Sequence, residues 1–147
     1  YELRTLSHDD RKTYFEALYV FYQVSQAEGV KLYGGKYLSL NYLVRQHLYG
    51  AASIECDHWH DGAGIVNHHV GITWEMENSL RMIDNSTAAH YWDYTMEFAR
   101  QQPWYESAVF KSDWFGDNSP GNENHVVSEG KFRYTPVMED ARAFLSI

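Results

Sequence analysis

Apolar positions recur at helical spacing in three stretches of the chain, and each predicts a helix. In "LSHDDRKTYFEALYVFYQVSQAEGV", residues 6–30, Phe15, Leu18, Tyr19 and Tyr22 fall on one face of one long helix. Ser7 stands where its hydroxyl can cap the first turn, and Asp9 and Asp10 suit the positive end of the helix dipole. Gly29 is the expected stop, and Gly34-Gly35 marks a turn. In "KYLSLNYLVRQHLYGAA", residues 36–52, a second helix carries Leu40, Leu43, Val44, His47 and Leu48 on one face. In "HHVGITWEMENSLRMID", residues 68–84, a third turns His69, Thr73, Met76 or Glu77, and Leu80 inward. After "YWDYT" the pattern weakens: "EFARQQPWYESAVF" predicts short helices broken at Pro103, and "SDWFGDNSPGNENH" from Ser112 is loop chemistry. There is no internal repeat and no clear linker. The expected fold is mainly α with a loop-rich C-terminal third, organised as one domain over residues 1–147.

Composition narrows the function classes. A chain of 147 residues can bury a core without disulfide staples, and a lone Cys56 cannot form an internal disulfide. A formal charge of −8 argues against nucleic acid, whose binding needs a basic footprint. No apolar run approaches the roughly 20 residues of a membrane span. The chain opens on Tyr1, so the lack of a leader says nothing about its compartment, and a secreted or vacuolar setting stays open. Asn85-Ser86-Thr87 is a glycosylation sequon.

The chemistry is concentrated in "CDHWHDGAGIVNHH", residues 56–69, which holds four of the eight histidines and the one cysteine. His47 and His69 each interrupt the apolar face of a predicted helix. Imidazoles that converge from a helical interior are a common way to hold a metal. Nitrogen donors without a set of thiolates suit copper, zinc or iron. A two-zinc hydrolase element of the HxHxD kind is a poor match, because Asp61 follows His60 directly. A structural zinc site normally draws on several cysteines.

His60 is followed nine positions later by His69, and Glu77 lies eight positions beyond that. This resembles the first copper-site signature of the tyrosinase, or type-3 copper, family, which includes catechol oxidases and molluscan haemocyanins. Ile65-Val66 stand at its aromatic-aliphatic pair, His69 at its histidine, Thr73 at its aliphatic-or-Thr place and Glu77 at its Glu. "HYWDYT" resembles the family's "PYWDWT", with His90 for Pro; "DWFGDNS" and "SEGKF" resemble its Phe-Gly and Gly-x-Phe elements. "RTLSHDDRKTYFEAL" is similar to its first helix. His68 and Val70 depart from the family's Trp and Arg, which marks a divergent branch.

The resemblance implies a partial di-copper helical bundle. It also implies a copper-dependent oxidoreductase that turns phenols and o-diphenols into quinones with dioxygen. It assigns His47, His60 and His69 to the first copper. His58 competes for the second place, since some members join a Cys two positions upstream to that ligand by a thioether, and Cys56 has that spacing. Asp57 or Asp61 is placed to orient a ligand through its other ring nitrogen. Trp92 and Asp93 are expected to be structural. A second copper would need three more histidines, and beyond His90 the chain has only His125. The expectation is a fragment that lacks the second copper site, ending mid-pattern at "ARAFLSI". Two alternatives stay open: a haemocyanin-like oxygen-binding protein, or a non-catalytic helical domain that lost its second site.

Overall fold

The computed structural model describes residues 1–51, 55 and 57–138. Among these residues the chain is mainly helical, with no strand and a lone parallel bridge between Glu2 and Tyr91. The helices are α1 (His8–Gln23), α2 (Gln26–Tyr33), α3 (Leu40–Ala51), α4 (Gly64–Ile83) and α5 (Thr95–Ala99). Beyond α5 come two 3-10 turns, Trp104–Glu106 and Ala108–Phe110, and then loop, as the loss of periodicity after residue 95 predicts. Among the described residues no helix is long and apolar enough to cross a membrane.

The single long first helix is corrected to two. Ser25 takes an extended conformation (φ −66°, ψ 161°), and its hydroxyl accepts from the backbone N–H of Glu28 at 3.3 Å. A serine three residues before a glutamate competes with the helix for its own backbone and opens a new first turn. Gly29 is not the stop. It is buried within α2, because a Cβ there would come within 2.0 Å of the Tyr37 ring. The stop is Gly34, whose φ of 101° only glycine adopts freely and whose N–H donates to the Val30 carbonyl. The inward face of α1 also differs from the one expected. Tyr14, Phe15, Ala17, Leu18 and Phe21 are buried, while Tyr19 and Tyr22 are exposed. A tyrosine counts as apolar in a periodicity yet is content at the surface, so it blurs the register of the stripe. Ser7 caps α1 as expected: its hydroxyl accepts from Asp10 N–H at 3.1 Å and donates to the Asp10 carboxylate at 2.7 Å. α4 starts four residues earlier than expected, at Gly64, with no side-chain cap to announce it.

The chain divides into two compact units, and the boundary falls inside α1. The first combines Tyr1–Tyr19 with His90–Pro136. Its core is aromatic: Phe15 meets Trp114, Phe115 and Phe132 edge-on, and Phe115 stacks on Phe132 at 5.7 Å. The "DWFGDNS" and "SEGKF" motifs therefore supply core rings and the turns between them. Gly130 (φ 82°) is obligatory there, since a Cβ would lie 2.0 Å from the Ser112 carbonyl oxygen. Arg4 ties this unit together by pairing with Glu2 and Glu97 and donating to the Asp93 carbonyl. Burial raises the pKa of Glu97, but the Ser107 hydroxyl, backbone hydrogen bonding and Arg4 outweigh it and hold the carboxyl below its usual range.

The second unit is built on Val20–Ala89. Tyr37 is fully buried beside Phe21 and Gly29, and the Gln26 side chain bonds both the Tyr37 carbonyl and the Ser39 N–H. Ser39 caps α3 through Tyr42 N–H, and Ser79 on α4 accepts from Leu38 N–H at 3.0 Å. These bonds fix the entry of α3 against α4, and the two helices pack on each other with Leu43 and Leu80 buried.

Candidate metal centre

His47 lies one helical turn beyond the buried Leu43, so the stripe that buries α3 also carries its imidazole inward. Leu40, Val44 and Leu48 share that half-buried stripe, as their spacing predicts. His69 sits in the second turn of α4 and is half-buried. The segment between the helices carries Asp57, His58, Trp59 and His60 and turns at Gly62, whose φ is +62°.

The fold brings His47, His60 and His69 together. One ring nitrogen from each lies within 4.8 Å of the others. The ring centroids form a nearly equilateral triangle, with sides of 5.2, 5.4 and 5.3 Å. Second partners fix two of the three tautomers. His69 Nδ1 lies 2.7 Å from the Ile65 carbonyl, which only accepts, so that nitrogen carries the proton and Nε2 keeps its lone pair. His60 Nδ1 lies 2.7 Å from Asp57 Oδ2 in the same sense. Asp57 Oδ1 in turn accepts from the backbone N–H of Trp59 and of His60, both at 3.0 Å. Desolvation raises the Asp57 carboxyl, but these bonds from His60 and Trp59 prevail and hold it below the usual carboxylate range. His47 titrates below the ordinary imidazole range, first because it is desolvated and then because His60 and His69 face it; Asp57 opposes this weakly.

Trp59 is the wall that periodicity could not reveal. It meets His47 edge-on at 5.1 Å and His69 at 5.8 Å, and it stacks on His68 at 4.9 Å. It rests on Gly50 of α3, where a Cβ would fall 1.6 Å from the indole nitrogen. The one available signal was a glycine near the end of an apolar helix, which marks a close approach without naming the partner.

The remaining histidines are elsewhere. His58 stays out of the cluster; its carbonyl accepts from His68 Nδ1 at 3.1 Å. His68 is exposed and braces Trp59. His90 packs against Tyr14 in the other unit, and His125 lies in a loop with Nδ1 on the Pro120 carbonyl. Asp61 is exposed, and its backbone N–H donates to the Asp57 carbonyl. Glu77 accepts from Ala89 N–H and so ties α4 to the chain that follows it. Asp93 fixes a turn through Thr95, and Trp92 packs edge-on against Phe110. Cys56, and with it the thioether that would favour His58, lies outside the described residues, as does "ARAFLSI".

The donor set fits a borderline metal ion: three neutral imidazoles, two of them oriented by acceptors on their other nitrogens. Two nitrogens about 2.1 Å from one ion lie at most about 4.2 Å apart, so an ion held by all three would need the widest pair to close by roughly half an ångström. Beside the triad an open groove of about 480 Å³ runs along α4, lined by Val66, His69, Val70, Thr73, Trp74 and Glu77.

No family model matches the chain. Curated relatives do. A tyrosinase-like protein of Pinctada maxima is 36% identical over 81 residues, which is 54% of this chain and 17% of that protein. Tyrosinase-like protein 2 of Margaritifera margaritifera is 35% identical over 81 residues, with the same shares. Over this region the chain is related to the tyrosinase family. The matched region spans less than a fifth of each relative, so kinship with tyrosinase-like proteins covers part of this chain and a smaller part of theirs. A tyrosinase relationship and a three-histidine cluster able to hold a metal are thus joined in one chain.

Proposed function

We propose that this chain is the first-copper portion of a copper-dependent oxidoreductase that oxidises phenols and o-diphenols to quinones with dioxygen. The observation that carries the reading is the meeting of three imidazoles, two of which have their Nδ1 protons committed to other acceptors. Kinship with tyrosinase-like proteins supports copper over zinc or iron. When bound, copper supplies one-electron redox chemistry and an open position for dioxygen.

Everything else is the work of the chain's own side chains. His47, His60 and His69 hold the ion. Asp57 Oδ2 keeps the His60 proton on Nδ1, so that Nε2 remains the ligand, and the Ile65 carbonyl does the same for His69. Trp59 walls the triad and limits the rotation of His47 and His69. Val66 and Val70 offer an apolar face in the groove that His69 also lines, which suits the ring of a phenol lying beside the metal. A paired centre needs six histidines. The described residues converge three, so in this reading the second triplet belongs to the remainder of a longer protein.

Copper titration in competition with a chelator tests the assignment. His47→Ala, His60→Ala and His69→Ala should each lower affinity by more than the roughly 10–100-fold typical of outer-shell changes, and His58→Ala by a few-fold at most. Equal losses from His58→Ala and His60→Ala would reject the ligand set.

A further inference from the structure

The sequon Asn85-Ser86-Thr87 contributes no residue to the histidine triad, and it borders a second groove that shares Trp74 with the groove beside the triad. We infer that Asn85 carries an N-linked glycan whose first sugars lie along α4 in the groove that Asn85 borders. α4 ends at Ile83, and the next residues form a tight turn. Asp84 Oδ1 accepts from the backbone N–H and the hydroxyl of Ser86, at 2.9 and 2.6 Å, and the Asp84 carbonyl accepts from Thr87 N–H. This turn holds Asn85 exposed at its tip.

The groove encloses about 580 Å³, and its lining includes Lys36, Trp74, Asn78, Arg81, Met82 and Asn85. Positions 74, 78, 81 and 82 follow helical spacing on α4 and share one face, and Asn85, in the turn beyond the helix, borders the same groove. From Trp74 to Met82, eight residues at the helical rise span about 12 Å, and the groove continues to Asn85, which is the reach of a short oligosaccharide rather than of one sugar. Trp74 is 66% exposed, an indole with an open ring face. The C–H face of a pyranose covers such a ring, while the Asn78 amide and the Arg81 guanidinium match hydroxyl and acetamido groups. An exposed tryptophan bordered by amide and charged side chains has the composition that suits a sugar, and the attachment point lies on its rim.

The transfer balances without any redox change. Asn85 Nδ2 forms a bond to C1 of the reducing-end sugar, the bond from C1 to the diphosphate of a lipid-linked oligosaccharide donor breaks, and the amide proton leaves with the lipid diphosphate. Thr87, which the transferase must read, is buried in the fold at 7% exposure. Transfer therefore precedes the packing of Thr87, while the chain is still entering a secretory lumen.

The test expresses the protein with a secretion leader in a eukaryotic host and releases glycans with a peptide N-glycosidase in ¹⁸O-water. The Asn85 peptide should gain the label; Asn85→Gln should abolish it and Thr87→Ser should keep it. An unlabelled Asn85 in secreted protein overturns the inference. On the glycosylated protein, removal of the glycan should raise the oxidation rate of Trp74 several-fold and leave the other tryptophans unchanged. An unchanged Trp74 rate overturns the docking of the sugars on α4. Donor and transferase added to the unmodified chain should label it when denatured and not when folded; equal labelling overturns the stated order of events.

Discussion

Asp57→Asn isolates the orienting carboxylate from the ligands themselves. The Asp57 carboxylate makes three hydrogen bonds: Oδ1 accepts from the N–H groups of Trp59 and His60, and Oδ2 faces His60 Nδ1 at 2.7 Å. Asparagine keeps one acceptor oxygen, which can serve the two backbone donors and so preserve the turn. Its other atom is an NH₂ group, which meets the protonated Nδ1 of His60 donor to donor. The imidazole must then rotate away or move its proton to Nε2, and either change removes the lone pair from the triad. Loss of such an outer partner typically costs about 10–100-fold in metal affinity, and that is the expected drop here. Because the native carboxyl sits below its usual range, the difference between the native protein and the Asp57→Asn variant should persist across neutral and mildly acidic pH. The assay is copper titration against a competing chelator, with far-ultraviolet circular dichroism to show that both forms fold. A change of less than about threefold, with the fold intact, refutes the claim that Asp57 sets the His60 tautomer for metal binding.

Other outcomes follow from the same contacts. His47 titrates below an ordinary imidazole, so as pH falls through about 6.5 the unfolded chain takes up a proton that the folded one refuses. Stability in the metal-free chain should therefore be fully present above that range and decline below it, until the folded pKa is passed; urea midpoints at several pH values check this, and His47→Gln should flatten that share of the slope. Gly29→Ala should destabilise the chain by about 1–3 kcal/mol in urea unfolding, since the new methyl meets the buried Tyr37 ring and the gain in helix propensity of about 1 kcal/mol offsets only part of the strain. Leu80→Ala, at a fully buried site on α4, should cost about 2–5 kcal/mol in the same assay. The copper-loaded chain alone should form quinone from a diphenol no faster than free copper at equal concentration, because the described residues gather one histidine triplet; a clear excess from a monomer would overturn the half-site reading.

What the sequence determined by itself were the features that repeat. His47 shares a helical stripe with Leu43, and His69 shares one with Leu80, so a period of 3.6 residues was enough to turn both inward. Ser7 and Asp10 were legible for a related reason: a cap is a local contact between neighbours in the chain. The break at Ser25 was equally local but was masked by the apolar run across it, and the early start of α4 had no capping side chain to mark it. Where the His58 and His60 side chains lie belonged to tertiary structure. Both stand in an irregular segment, two residues apart: the nine-residue step to His69 favours His60, and the Cys56 spacing favours His58. His60 meets His47 and His69 because Asp57 bonds it, because His68 on α4 holds the His58 carbonyl, and because Trp59 is seated on Gly50 of α3. Regular backbone aims its side chains by its own repeat, whereas a loop has no repeat, and its side chains point where contacts distant in sequence hold them.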